Sequence, residues 1–200
     1  MLLVIDSATA ACSVALIEGD RLLDERHEVV GRGHAERLVP MIAEILGGHR
    51  PSAILVDCGP GSFTGVRVGL AAAHGLAIGW GVPLSGYSST ASIAAAAPGN
   101  EIAVALIGGH GQIFVQRYGG DPLLPLDPLR SLVPEEAATL IATADVYGNG
   151  AELLVAARGH GTAHDALPRA ADARRLPPAL RSLPPRPIYG RAPDAKPMSL

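Results

Sequence analysis

The sequence predicts a two-lobed α/β fold, and three observations predict it. The chain opens on apolar, partly β-branched runs separated by turn residues: Leu2-Leu3-Val4-Ile5, Cys12-Ser13-Val14-Ala15-Leu16-Ile17, and Leu22-Leu23 leading to Val29-Val30. A segment of helical period, a short buried strand, a glycine-rich turn and a second helix follow in that order. At 200 residues, with 48% hydrophobic and 18% charged, the chain is globular and long enough for one sizeable core or two small ones.

The opening runs, joined by Asp6-Ser7-Ala8-Thr9 and by Gly19-Asp20, read as two antiparallel hairpins. From about His34 to Leu46, Leu38, Met41, Ile42, Ile45 and Leu46 recur at helical spacing. Pro40 lies inside that stretch and removes a backbone bond, which predicts a kink or a helix that begins late. Ala53-Ile54-Leu55-Val56, bounded by Pro51 and Gly59, reads as a buried strand. A helix from about Thr64 to Trp80 and a short strand at Val82-Pro83-Leu84 follow. Three strands, helix, strand, helix, strand is the order of the ribonuclease H-like core shared by actin, sugar kinases and Hsp70 proteins (the ASKHA class), which gives residues 1–98 as the first lobe. Residues 99–187 form a smaller second lobe: a hairpin of Ile102–Ile107 and Gln112–Tyr118, a helix over Pro134–Ala144, and a strand and turn at Asp145-Val146-Tyr147-Gly148. A short helix over Ser88–Ala97 follows the core, and residues 188–200 make a C-terminal tail. The many prolines after Ala163 leave little room for strands or long helices, so the second lobe reads as reduced.

The densest motif is Gly59-Pro60-Gly61-Ser62-Phe63-Thr64-Gly65-Val66-Arg67-Val68-Gly69, where a strand, a tight turn and a helix start meet. Gly59 and Gly61 permit positive φ or close backbone approach, and Ser62 or Thr64 can cap the helix. A helix start attracts anions, although glycines in such a turn more often serve its geometry. A Walker-type loop is excluded, because Gly65 is followed by Val66 and the only lysine in the chain is Lys196. The dinucleotide fingerprint fails on spacing. A hydrolase nucleophile elbow fails too, because the serine of Gly61-Ser62-Phe63-Thr64-Gly65 is misplaced. Asp6 ends the first strand, where sugar kinases carry a carboxylate close to the nucleotide, and Thr9 follows on the next turn. Asp6, Thr9, Gly61, Ser62 and Thr64 are therefore the nucleotide-contact candidates; with no second carboxylate recognised nearby, Asp6 is read as capping its own turn.

The second helix places small residues at Gly65, Gly69 and Ala73 and again at Gly75 and Gly79. Interior glycines cost about 1 kcal/mol each against alanine, so another backbone must come close, either the sheet beneath or a partner's helix. Arg67 and His74 interrupt the stretch and exclude a membrane span. Cys12 and Cys58 read as buried free thiols without metal or redox spacing. With no basic leader ahead of the first strand, a cytoplasmic, reducing location is expected. Among seven histidines, His160 and His164 are four apart, but Gly159 and Gly161 undercut the helix that would align them. Net charge is −3, yet residues 158–196 hold eight Arg or Lys against three Asp, which leaves −8 for the rest. That body repels nucleic acid, and the basic segment reads as a solvated, poorly ordered stretch with the option of touching an acidic partner or phosphate backbone.

Four segments together resemble the bacterial TsaB (YeaZ) family: Ile5-Asp6-Ser7-Ala8-Thr9 with Cys12-Ser13-Val14-Ala15-Leu16, His34 through Ile42, the Gly59–Arg67 motif, and Ile188-Tyr189-Gly190-Arg191-Ala192-Pro193-Asp194-Ala195-Lys196. The resemblance implies a scaffold that is not itself an enzyme. Such a subunit pairs with its catalytic paralogue TsaD to make threonylcarbamoyladenosine on tRNA, and a TsaE-like ATPase and the tRNA are reached through the complex. It implies ATP and a metal in the partner and no cofactor here: where TsaD carries two metal-binding histidines, this sequence has Ser89 and Ile93, neither a strong ligand. It further implies a helical bundle with the partner, with Leu38, Met41, Ile42 and Ile45 divided between core and interface and Gly65, Gly69 and Ala73 setting the approach. A homodimer through the same patch is expected when the partner is absent. The chain departs from the family at Ile107-Gly108-Gly109-His110, where Asp-Ala-Arg is usual, and at Gly190, where a bulkier residue is usual. The alternative remains an ATP-binding phosphotransferase-like or peptidase-like enzyme of the same fold, using Asp6, Thr9 and the Gly61 turn.

Overall fold

The structure, a computed structural model, describes residues 1–190. The first sheet comprises β1 (Leu2–Asp6), β2 (Ala11–Glu18), β3 (Arg21–Val29), β4 (Ala53–Asp57) and β5 (Leu84–Tyr87) in the order β3-β2-β1-β4-β5. The first three strands pair antiparallel, whereas β4 and β5 run parallel to β1 because helical crossovers deliver them. With helices on one face and the second lobe on the other, β1 and β2 are buried on both sides, which is why they read as unbroken apolar runs.

Helices α1 (His34–Leu46) and α2 (Phe63–Trp80) cover the outer face of this sheet, and Leu38, Met41, Ile42, Ile45, Val66, Leu70 and Ala73 close on Leu3, Ile5, Val14 and Val56. Helix α1 begins at His34 behind Gly33 (φ 98) and continues through Pro40, so the helix does not start late. The opposite face packs on α3 (Ser89–Ala96), a 3-10 turn at Ala170–Arg175, and the second sheet.

That second sheet contains β6 (Glu101–Gly109), β7 (Gln112–Gly119), β8 (Leu124–Pro125), β9 (Arg130–Leu132), β10 (Asp145–Tyr147) and β11 (Thr162–His164). Its order is β11-β10-β6-β7-β8, with β9 also beside β7. Helices α4 (Pro134–Leu140) and α5 (Ala151–Arg158) cover its outer face over Ala103, Ala105, Ile113, Val115 and Val146. Helix α4 stops well short of Ala144, and α5 and β11 lie where no element is expected from sequence.

The proline-rich stretch from Ala163 to Gly190 is ordered rather than solvated, because single small residues dock it. Ala170, Ala171, Ala173 and Leu176 are buried, and the Ala170 N–H donates to Ser13 Oγ at 3.0 Å. Residues 182–190 then return to the first lobe as a strap: Leu183 and Gly86 exchange backbone bonds of 2.7 and 3.0 Å, and the Ile188 N–H reaches the Cys58 carbonyl at 2.8 Å. The arginines expected to form a basic surface are partly spent on this folding. Arg158 binds the carbonyls of Ile141 and Thr143 at 2.8 Å, and Arg169 pairs with Glu25 at 2.6 Å. Arg191 and Lys196 lie outside the described residues, as does the rest of the terminal motif beyond Gly190. No helix among the described residues is long and apolar enough to cross a membrane.

Candidate functional site

The glycines of the motif are explained by what lies under them. Gly59 adopts φ 93, closed to most side chains. A Cβ on Gly61 would land on the Ala8 carbonyl, one on Gly65 on the Ser7 carbonyl, and one on Gly69 within 2.5 Å of Ser7 Oγ. The turn and the first half of α2 thus wrap the β1–β2 connection. The Ser62 N–H donates to the Ala8 carbonyl at 2.6 Å, Ser7 Oγ to the Gly65 carbonyl at 2.9 Å, and Ser62 Oγ caps α2 through the Gly65 N–H at 3.3 Å.

This geometry corrects the expected interface. Gly65, Gly69 and Ala73 set the approach of α2 to its own sheet, and Leu38, Met41, Ile42 and Ile45 are all at most 4% exposed inside the same core. None of the seven faces outward. The outward face carries other residues: Val39 (60% exposed) with Ala35, Pro40 and Ala43 on α1, and Ile78 (82% exposed) with Ala71, His74, Gly75 and Gly79 on α2. A Cβ on Gly75 or Gly79 would meet nothing within 4 Å. Helix α2 is small or apolar on most of both sides, so spacing alone could not say which side turns inward, whereas α1 exposes Glu36 and Glu44 opposite its buried stripe.

Of the nucleotide-contact candidates, Thr9, Gly61 and Ser62 line a cleft of about 810 Å³ where the two lobes meet, whereas Asp6 and Thr64 are not part of its wall. The first lobe adds Phe63 and Arg67. The second adds Leu106 to His110, Phe114 and Asn149, and Ile188 to Gly190 of the strap close the end. Arg67 is held there, its guanidinium carbon 3.3 Å from the Phe63 ring centroid and its Nη2 donating to the Tyr189 hydroxyl at 3.0 Å. Gly190 lies so close to Phe114 that a Cβ would stand 2.6 Å from the ring, which favours glycine there. The Gly108-Gly109-His110-Gly111 turn forms the second-lobe rim, with His110 itself at φ 54.

Asp6 has a neighbour that the sequence reading overlooked. Because β1 and β4 are adjacent and parallel, with Ile5 opposite Val56, their terminal residues Asp6 and Asp57 arrive together. Both are sealed from solvent. Tyr87 donates its hydroxyl to Asp6 Oδ2 at 2.8 Å, while Asp57 Oδ1 accepts from the Gly59 N–H at 2.7 Å and from Ser89 Oγ at 2.9 Å. Burial, offset in part by hydrogen bonds from Tyr87 and others, pushes the Asp6 carboxyl up to about 6. Burial and the charge of Asp6 hold Asp57 well above the usual carboxylate range. The signal was in the sequence, since the Ala53 strand ends in Asp just as the first strand does.

Ser89 and Ile93, which the resemblance aligns with metal-binding histidines, are both buried, and the Ser89 hydroxyl is committed to Asp57. Among the described residues no group of three or more His, Cys, Asp or Glu is arranged to hold a metal ion. His160 and His164 do not converge: His164 Nε2 meets Asp145 Oδ1 at 3.0 Å and its ring stacks on Tyr147, while the His160 carbonyl receives Arg158.

Two sheets, each with helices on its outer face, and a cleft where the lobes meet define a two-lobed protein of the ASKHA class. Residues 27–124 match the family model of TsaD, the tRNA N6-adenosine threonylcarbamoyltransferase. The solved structure of YeaZ from Pseudomonas aeruginosa shares 32% of its residues with this chain, at a TM-score of 0.77 and over 88% of this chain and 89% of that one. An uncharacterized protein of Mycobacterium bovis is 32% identical over 99% of this chain and 95% of its own length. The tRNA threonylcarbamoyladenosine biosynthesis protein TsaB of Escherichia coli is 42% identical over 46% of this chain; that match spans 42% of its length. The chain belongs to the TsaB (YeaZ) family.

Proposed function

We propose that this chain serves tRNA threonylcarbamoyladenosine biosynthesis as a non-catalytic subunit, docking a TsaD-like paralogue on the outward face of α1 and α2. The observation that carries this reading is that face itself: Val39 and Ile78 stand exposed among Ala35, Ala43, Ala71, Gly75 and Gly79. Apolar side chains among small ones on two adjacent helices suit close packing against another pair of helices. Chemistry belongs to the partner on this reading. Both buried carboxylates are sealed from any substrate, and Ser89 and Ile93 offer no metal site. A TsaE-like ATPase and the tRNA are then reached through the TsaD-like subunit, and the same face supports a homodimer in the partner's absence.

The test is calorimetric titration of the chain with its cognate TsaD, with and without ATP. Ile78→Asp places a charge on the exposed face without touching the core. It is expected to weaken binding about 30-fold, the loss typical of an interface anchor. Unaltered affinity would remove the face from the interface, and stoichiometric ATP binding by the isolated chain would favour an ATP-handling enzyme acting through the cleft.

A further inference from the structure

The buried carboxyls of Asp6 and Asp57 are used by nothing proposed above, and their hydrogen bonding is incomplete in an informative way. Asp57 Oδ1 accepts from the Gly59 N–H, and Ser89 Oγ, 2.9 Å from Oδ1 and 2.7 Å from Oδ2, has a single proton that serves one of the two oxygens at a time. Asp6 Oδ2 accepts from Tyr87, whereas Asp6 Oδ1 is buried without a well-formed hydrogen bond among the described residues, the Ala8 backbone adding only a minor stabilisation of the charged carboxyl. The group beside it is Asp57, itself an acceptor unless it carries a proton. Two ionised carboxylates side by side in a dry interior repel each other and lose hydration together, so such pairs retain one proton.

We propose that Asp6 and Asp57 share one proton at neutral pH, with Asp57 as the carboxylic acid that donates to Asp6 Oδ1, and that this bond latches the ends of β1 and β4 beneath the glycine turn. The residues that follow each carboxyl build that turn. Ser7 and Ala8 receive α2 and Ser62, and Gly59 hangs on Asp57 itself. The surroundings leave the pair as the titrating element. Helix α1 presents His34, which favours the charged form of Asp6. From β2 comes Cys12, from the end of β4 Cys58 and from β5 Tyr87, and burial raises all three acids, Cys12 to about 11 and Cys58 to about 12, so they stay neutral. Helix α3 contributes the Ser89 hydroxyl, and α2 faces this point with Gly65 and Gly69.

The sign follows from linkage. Both carboxyls hold protons more tightly folded than unfolded, so their contribution to stability is complete below about pH 4 and is lost as the pH rises through about 6, where Asp6 titrates, and higher, where Asp57 does. Thermal unfolding of the full chain between about pH 4 and about pH 9 should therefore show stability falling with rising pH, against the usual trend for paired carboxylates. In Asp57→Asn the amide donates to Asp6 Oδ1 with no proton to lose. This variant should flatten the profile above about pH 6 and melt about 3 °C higher than the parent at about pH 8. Infrared spectra of the unsubstituted chain at neutral pH should contain the C=O stretch of a protonated carboxyl, absent from Asp57→Asn. A parent without that band, or a folded Asp57→Asn that keeps the full pH slope, overturns the proposal. If Asp57→Asn does not fold, the band in the parent decides alone.

Discussion

The helix layers over the two sheets occupy equivalent places and are held there by different means. Over the second sheet, α4 and α5 are only 7 and 8 residues long, and their ends carry matching charges: Glu135 and Glu136 open α4, Glu152 opens α5 and Arg158 closes it. Such short helices are unstable alone, and end charges complement their dipoles. Over the first sheet, α2 runs 18 residues with no acidic residue in its first turn and no basic one in its last. It depends on packing instead, pressing Gly65 and Gly69 onto Ser7 while its outer face is left small and apolar. A helix stabilised by its caps and its inner packing is free to evolve its outer face for a partner. One that relies on surface charge is not.

The largest effect expected from this contrast is on the inner face of α2. Gly65→Ala puts a methyl group against the Ser7 carbonyl, where only backbone can yield, and should lower stability by about 3 kcal/mol in urea unfolding. A loss under half that would mean α2 is not seated as described. On the outer face, Gly75→Ala meets open space and should raise stability by about 1 kcal/mol through helix propensity, while weakening the paralogue's binding if its backbone packs there. Opposite signs for one substitution would separate a folding surface from a docking surface; a gain in both would disconnect Gly75 from the interface. The smallest effect is expected over the second sheet, where Leu153 is 46% exposed on α5. Leu153→Glu should leave stability within about 0.5 kcal/mol and paralogue affinity unchanged, and a loss of binding comparable to that of Ile78→Asp would extend the interface to the second lobe.

The first lobe was largely legible because its signals are local. Apolar runs bounded by turn residues mark β1, β2 and β4, and the glycine motif marks where β4 hands over to α2, whereas β5 runs Leu84–Tyr87, beyond most of the Val82-Pro83-Leu84 run read as its strand. Facing was not legible. Gly65, Gly69 and Ala73 differ from Gly75 and Gly79 only in what lies across from them, and that depends on strand order. The Asp6–Asp57 pair needed the same information: each aspartate ends an unremarkable strand, and only the parallel neighbourhood of β1 and β4 makes them a pair. In the second lobe α5 was missed although Ala151-Glu152-Leu153-Leu154-Val155-Ala156-Ala157-Arg158 is rich in helix formers. The basic, proline-rich segment 158–196 reads as poorly ordered, yet its described part packs, because charge and proline content say nothing about order gained by burying Ala170, Ala173 and Leu176.

That same composition suits the strap to the place it takes. Strand β5 is one rim of the first sheet, β3 being the other, and an open rim recruits strands from other molecules. Leu183 occupies it at Gly86. The residues that continue the strap include Pro184, Pro185 and Pro187, which have no N–H to offer a further strand. The chain thereby covers the β5 rim with a piece that cannot be extended, so protection of that rim against edge-to-edge pairing lies in residues 183–187, and a version cut before Ser182 would expose it to its neighbours.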